Sequence, residues 1–262
     1  MKDKPSGHSY REDDFIGGSR FEEAVELYVF DKRLRLLALD ALERIEMAVR
    51  VDIAYLLGRY GSFAHHEVRH FDRNFTTRPV RQKDGATRFQ LWHERFEGLQ
   101  YRAKKDPFVD HNVKKHGRLP IWVTIEILDF GSISQLYAGL KYKDRRDIAE
   151  KYLMKENDFK SLLRSLNYIR NVSAHHSRLW NINVLEHASE FHLDSHWEAL
   201  SGNRAFFYFC GMQHLLNTIC PQSAWTERFK DHLDSFPKIS VNTTTLKDFG
   251  LTTPLKDWNL WT

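Results

Sequence analysis

Apolar residues recur every three or four positions along most of this chain, and no stretch alternates with period two for more than a few residues. That periodicity belongs to helices. Ser19 and Glu22 have the spacing of a capping box and predict a helix start that turns Phe21, Val25 and Tyr28 inward. Asp31 is expected to cap a second, longer helix running to Gly58. Its Leu34, Leu37, Ala38, Ala41, Leu42, Ile45, Ala48, Val49 and Ile53 form one apolar stripe. Residues 62–87 lose the pattern, hold Pro79 and Gly85, and read mostly as loop.

Helix returns over residues 88–104. Pro120 suits the start of a helix over 121–130, which Gly131 ends. Shorter helices follow over 132–140 and 144–153. Asn157 is expected to cap a segment carrying Leu162, Leu166 and Ile169. A long helix is predicted over 196–219, stopped by Pro221, and a last one over 223–235. With no strand–helix alternation, the predicted fold class is all-α: packed helices and one long basic loop. The expected organisation is a polar lead-in (1–19), a helical domain (20–237) and a C-terminal tail packed on it (238–262).

Composition narrows the function classes. A hydrophobic content of 42% over 262 residues is enough for a substantial core, in one large domain or two small ones. The densest apolar run, Ala205 to Cys210, is too short to span a membrane. Met1-Lys2-Asp3-Lys4-Pro5 has no apolar segment behind its charges and does not read as a signal peptide. Cys210 and Cys220 are too few for a zinc site or a disulfide framework, so a reducing cytoplasm is the expected location. No cofactor is implied.

The net charge of +4 permits an anionic partner without requiring one. Position says more. Arg69, Arg73, Arg78, Arg81, Lys83 and Arg88 fall in one stretch interleaved with Phe71, Phe75 and Phe89. Arginines for phosphates and aromatics for stacking suit single-stranded RNA, although such phenylalanines also serve to anchor a loop to the core. His65, His66 and His70 have no carboxylate or cysteine that frames a metal convincingly, and read as part of a solvated loop.

The chemistry concentrates in Arg170-Asn171-Val172-Ser173-Ala174-His175-His176. A fixed cation and a group titrating near neutrality are the minimum for metal-free phosphodiester chemistry. On a helical wheel Leu162, Leu166, Ile169 and Ser173 share the buried face. His176 lies beside that face, as a core histidine would. His175 points away, one turn beyond Asn171. Arg170 and His175 are separated by about 140° around the axis and roughly 7.5 Å along it, so they converge poorly on one phosphate. Either the helix ends within the motif, or two copies from two chains build one composite site.

RNA cleavage fits these groups, because the 2′-hydroxyl is an internal nucleophile beside the scissile phosphate. His175 would move the proton, Arg170 would stabilise the phosphoryl charge, and Asn171 would orient the imidazole. The competing reading is structural: an Arg and a His near a helix end that bind carbonyls and a neighbouring carboxylate.

Several ordered blocks add to this reading. They are Tyr28-Val29-Phe30-Asp31-Lys32-Arg33-Leu34-Arg35, Glu43-Arg44-Ile45-Glu46-Met47-Ala48-Val49-Arg50, Pro120-Ile121-Trp122-Val123-Thr124-Ile125-Glu126, Phe130-Gly131-Ser132-Ile133-Ser134 and Ala174-His175-His176-Ser177-Arg178-Leu179-Trp180-Asn181. Through them the chain resembles the Abi-like (abortive infection, AbiD/AbiF type) proteins, bacterial phage-resistance factors, over nearly its whole length after residue 20. These in turn look like members of the HEPN superfamily. The resemblance implies a HEPN helical bundle, a metal-independent endoribonuclease acting on RNA, and a homodimer, with an inhibitory RNA or antitoxin as a further partner. It carries over to Arg170 and His175, with Asn171 at the usual polar position. Non-catalytic RNA-binding or protein-interaction modules of the superfamily are the alternative. Relatives of this type usually carry some forty further N-terminal residues including a tyrosine-rich segment, so whatever that segment does is expected to be absent or changed.

Supporting residues follow from the same blocks. Glu46 and Arg50 have the order of a favourable i, i+4 ion pair, which is either a solvated helix-face pair or a buttress of the site. Arg178 and His176 flank the motif as candidate RNA contacts, Arg73, Arg78 and Arg81 lie in the basic stretch, and Asn181 is read as structural.

Overall fold

The computed structural model describes residues 16–184, 191, 193–241, 244–252 and 254–262. Most of the polar lead-in therefore lies outside the described residues. Ten α-helices and six short 3-10 segments make up the described part, and its only β pairing is two isolated bridges. The expected all-α class holds.

A single helix dominates. α1 runs Phe21–Tyr60, 40 residues without a break, or about 60 Å at 1.5 Å per residue. The two helices expected here are one. Asp31 does not cap anything; it is buried inside α1. The buried positions Phe30, Leu34, Ala38, Ala41, Leu42, Ile45, Val49, Ile53, Leu56 and Leu57 repeat every three or four residues and form the spine of the core. The start of the helix departs from expectation: Phe21 is 80% exposed and Tyr28 62%, with Val25 also exposed. Only the part of the stripe past Phe30 has helices to pack on, so periodicity correctly gave the helix but not which face was covered. Arg20 stands at the N-cap and no side chain caps it, so the Ser19–Glu22 capping box does not form.

The basic stretch is more ordered than expected. Ala64–His66 and Val68–His70 are 3-10 turns, and α2 (Arg73–Thr77) is capped by Asp72. Phe71, Phe75 and Phe89 are all buried, so they anchor this segment rather than offer stacking faces. α3 (Arg88–Arg102) opens with a true capping box between Thr87 and Gln90. α4 (Pro107–His116), a helix that the apolar periodicity does not predict, has Pro107 at its start and left-handed Gly117 after its end.

α5 covers Ile121–Ile127 and α6 Phe130–Gly139, capped by Asp129. Gly131 lies inside α6 and breaks nothing. The break comes at Leu128–Asp129, where the Asp129 carboxylate accepts from the Ser132 backbone N–H at 2.8 Å. Gly139 is required by contact: a Cβ there would stand 2.5 Å from the Phe75 ring. α7 (Tyr142–Ala149) leads by a 3-10 turn to α8 (Glu156–Ala174), which starts one residue before Asn157 with Lys155 at the N-cap.

α9 (Ala205–Ile219) is shorter than expected, because residues 195–199 form a separate 3-10 turn. α10 (Trp225–Asp234) completes the set. α1 packs against α5, α8, α9 and α10, and α8 lies among α1, α6, α7 and α9. Gly211 permits the close crossing of α9 over α8, since a Cβ there would meet Leu162 at 2.9 Å. The tail brings Phe249, Trp258 and Trp261 into the core, with the Trp261 ring stacked on Phe206 and Phe229.

Candidate functional site

α8 positions the motif. Its Leu162, Leu166, Ile169 and Ser173 are fully buried, which fixes the rotation of the helix about its axis. Arg170 is consequently half-buried on the flank and Asn171 exposed. The helix ends at Ala174 in a Schellman arrangement. The His176 N–H reaches the Ser173 carbonyl at 3.3 Å and the Ser177 N–H reaches Val172 at 3.0 Å. The His175 N–H still bonds to the Asn171 carbonyl at 2.9 Å, so His175 continues the helical course as its C-cap. The divergence of Arg170 and His175 expected for a helix therefore persists in this chain.

His176 corrects the sequence reading. It is exposed, not a core histidine, and its backbone is left-handed with φ of 58°. The helix has ended before it, so its wheel position beside the apolar face no longer applies. His175 is exposed as expected, and its imidazole has no hydrogen-bond partner among the described residues. The Asn171 side chain does not reach it. Instead its carbonyl oxygen accepts from Arg170 Nη1 at 3.4 Å.

Arg170 lies within electrostatic reach of Glu46, which belongs to a set of charges drawn from three other elements. Glu46 and Arg50 of α1 pair at 2.5 Å, and Arg50 also donates to the Leu128 carbonyl at 2.6 Å. Both side chains are 17% exposed, so this is not a solvated surface pair. Burial pushes the Glu46 carboxyl above its ordinary value, against the pull of Arg50 and, more weakly, of Arg170. Asp129, at the α5–α6 junction, pairs with Arg95 of α3 at 2.6 Å. Burial alone would raise its carboxyl, but the hydrogen bonds from Arg95 and Ser132 hold it below the usual range. Asn167 of α8 lies over the same junction: its amide would stand 3.4 Å from a Cβ on Gly131. Sequence reasoning missed Asp129, Arg95 and Asn167. Only the Asp129-x-x-Ser132 cap spacing was legible in advance.

The remaining candidates are dispersed. Arg178 is exposed, two residues past His176. Asn181 is half-buried, and its backbone carbonyl accepts from Arg204. Arg73, Arg78 and Arg81 are exposed, with no ion pair among the described residues and no hydrogen bond to the motif. The histidine group is not solvated. His65 is fully buried and bonds to Thr124 at 3.0 Å, and burial drives its pKa down to about 2. His66 and His93 approach at 3.1 Å. No group of three metal-ligating side chains forms among the described residues.

Beside the Glu46–Arg50 pair, α1 and α5 frame a groove of about 540 Å³. Its rim carries exposed Met47, Val51, Tyr55 and Trp122, with Arg59 and Glu126 of opposite charge. No helix among the described residues is long and apolar enough to cross a membrane.

No curated protein and no solved structure matches the chain. A family model does, over residues 2–181, which takes in the lead-in as well as the blocks from Tyr28 to Asn181. Residues 182–262, including α9 and α10, lie outside it. The match covers more than half of the chain and includes α1, the α5–α6 junction and the whole of the α8 motif: the chain belongs to the family of Abi-like proteins.

Proposed function

We propose that this protein is a metal-independent endoribonuclease of HEPN type that cuts RNA in abortive infection and phage defence. The observation that carries the reading is the state of the two motif side chains. The His175 imidazole is exposed and without a partner among the described residues, and among those residues the Arg170 guanidinium makes a single, long hydrogen bond, to Asn171. A structural Arg–His pair would be spent on carbonyls or carboxylates. The nearby carboxylates Glu46 and Asp129 are instead held by Arg50 and Arg95. Family membership supports the role in phage defence.

In this reaction the 2′-oxygen attacks the adjacent phosphorus and loses its proton to a histidine. The bond to the 5′-oxygen breaks and that oxygen takes a proton. Arg170 stabilises the charge on the non-bridging oxygens. A 2′,3′-cyclic phosphate and a 5′-hydroxyl result. A two-fold homodimer supplies two His175 rings, one as base and one as acid, and answers the divergence within one chain. The groove rimmed by Met47, Val51, Tyr55 and Trp122 is where the second copy would seat. Arg59 and Glu126 bring both signs to that rim, as a self-complementary face requires. The same apolar face also suits a non-catalytic interaction module, the second reading.

Incubating the purified protein with a mixed RNA pool in EDTA, followed by end-group analysis, tests the proposal. Cleavage that survives chelation and leaves cyclic phosphates is expected, with 2′-deoxy substitution at the scissile position conferring resistance. Ends bearing 3′-hydroxyl and 5′-phosphate, or activity lost in chelator, refute the mechanism. RNA retained without cleavage favours the module.

A further inference from the structure

Residues 177–179, which follow the motif, belong to no helix or strand, yet Leu179 and Trp180 are buried. Their backbone N–H groups need acceptors, because an unpaired buried N–H costs as much as a lost hydrogen bond. One side chain answers both. Asp31 of α1 accepts through Oδ1 from the Leu179 N–H at 2.9 Å and from the Trp180 N–H at 2.7 Å. Its other oxygen is paired with Arg35, one turn along α1, and Arg35 donates in turn to the Ser177 carbonyl at 3.5 Å. Asp31 is 3% exposed and Arg35 4%. A buried carboxylate holding two amides and a guanidinium is a set of charge-assisted bonds, stronger and more directional than neutral ones.

The motif is therefore gripped from both sides. The Schellman turn ties His175 and His176 to α8, and the Asp31–Arg35 pair ties Ser177, Leu179 and Trp180 to α1. Between the two grips the His175 imidazole has no hydrogen-bonding partner among the described residues, so no such bond holds the ring and the backbone that carries it sets where it stands. We infer that Asp31, together with Arg35, is a positioning residue for the candidate site: it locks the segment after the motif helix and so fixes where the His175 imidazole stands relative to Arg170. This inference rests on the ribonuclease reading, but its geometric part is separable from it.

Removing Asp31 alone strands a buried Arg35 charge and invites unfolding. The test therefore replaces both members. Asp31→Leu with Arg35→Leu removes the acceptors without leaving a charge, and Asp31→Asn with Arg35→Gln keeps a neutral acceptor for the two amides. The Leu pair is expected to melt cooperatively and to exchange the amide hydrogens of residues 177–180 at least tenfold faster, with α1 and α9 unaffected. Its kcat should fall roughly tenfold to a hundredfold with KM nearly unchanged, as misplacement of a catalytic group does. The His175 ring resonance should shift or split in the NMR spectrum. The Asn–Gln pair should recover kcat to within about threefold of wild type, since proper placement returns with the acceptor.

A folded Leu pair with faster exchange but unchanged kcat and His175 resonance overturns the inference, as does unchanged exchange. Should the Leu pair not fold, Arg35→Met with Asp31→Asn, which removes the ion pair and the bond to Ser177 but keeps a neutral acceptor for the two amides, is expected to give the same signature in smaller measure. An unaltered kcat and His175 resonance there is equally fatal. If the wild type cuts no RNA, the ribonuclease reading fails; the exchange rates and the His175 resonance still decide the clamp, independently of cleavage.

Discussion

His175 and His176 are neighbours with opposite physical situations. His175 ends a helix with its ring free, whereas His176 sits at φ of 58°, a conformation that disfavours side chains bearing a Cβ and is usually left to glycine after a helix. His176→Gly should therefore relieve strain and stabilise the fold by on the order of 1 kcal/mol, raising Tm by about 2–4 °C, with cleavage retained. His175→Ala and Arg170→Ala should each lower cleavage by a factor of roughly 100 or more without lowering Tm. Melting curves and single-turnover cleavage of the three variants check both expectations. An inactive but well-folded His176→Gly beside an active His175→Ala would reverse the assignment. Both histidines were visible in the sequence, and the wheel placed His175 correctly. It misplaced His176 because a wheel carries no information about where the helix stops.

Among the elements, α10 meets α1 through His232, whose ring stacks on Phe30 at 4.1 Å. Burial, reinforced by the Arg33 charge, lowers the His232 pKa to about 4. The ring is thus neutral in the folded state down to that pH, whereas an unfolded histidine takes a proton near 6.5. Between those values the unfolded chain binds more protons, so this contribution is complete above about pH 6.5 and is lost as the pH falls toward 4. The loss is on the order of 1 kcal/mol per pH unit. Urea unfolding at pH 7 and pH 5 should show wild type losing more stability than His232→Phe, which keeps the stack and cannot protonate. Equal losses would mean that the ring is not held neutral. This contact was not legible in the sequence, since α1 and α10 are some two hundred residues apart and their pairing is a tertiary event. The helices themselves were legible: α3, α8 and α10 lie close to where periodicity and breakers put them.

For the whole molecule, the unanswered geometry is that Arg170 and His175 diverge on one helix. If two chains complete the site, mixing His175→Ala protein with wild type should depress activity more steeply than dilution does. Val51→Glu, which places a charge in the apolar groove, should convert a dimer to a monomer in sedimentation and abolish cleavage while leaving the fold intact. An active monomer would return the site to a single chain.

The sequence by itself determined the helical class, most helix positions, the family blocks and the motif, because these depend on local periodicity and on residue identity. Tertiary packing decided what touches what. It merged residues 21–60 into one helix, buried Phe71, Phe75 and Phe89 beneath the basic stretch, and left Phe21 and Tyr28 in the open. It also turned Asp31 from an expected cap into the acceptor for Leu179 and Trp180, about 150 residues away. The physical reason is common to all of these. Periodicity states that a face is apolar and a carboxylate states that it can accept hydrogen bonds, but only the arrangement of the other helices selects the surface or the amide that meets them.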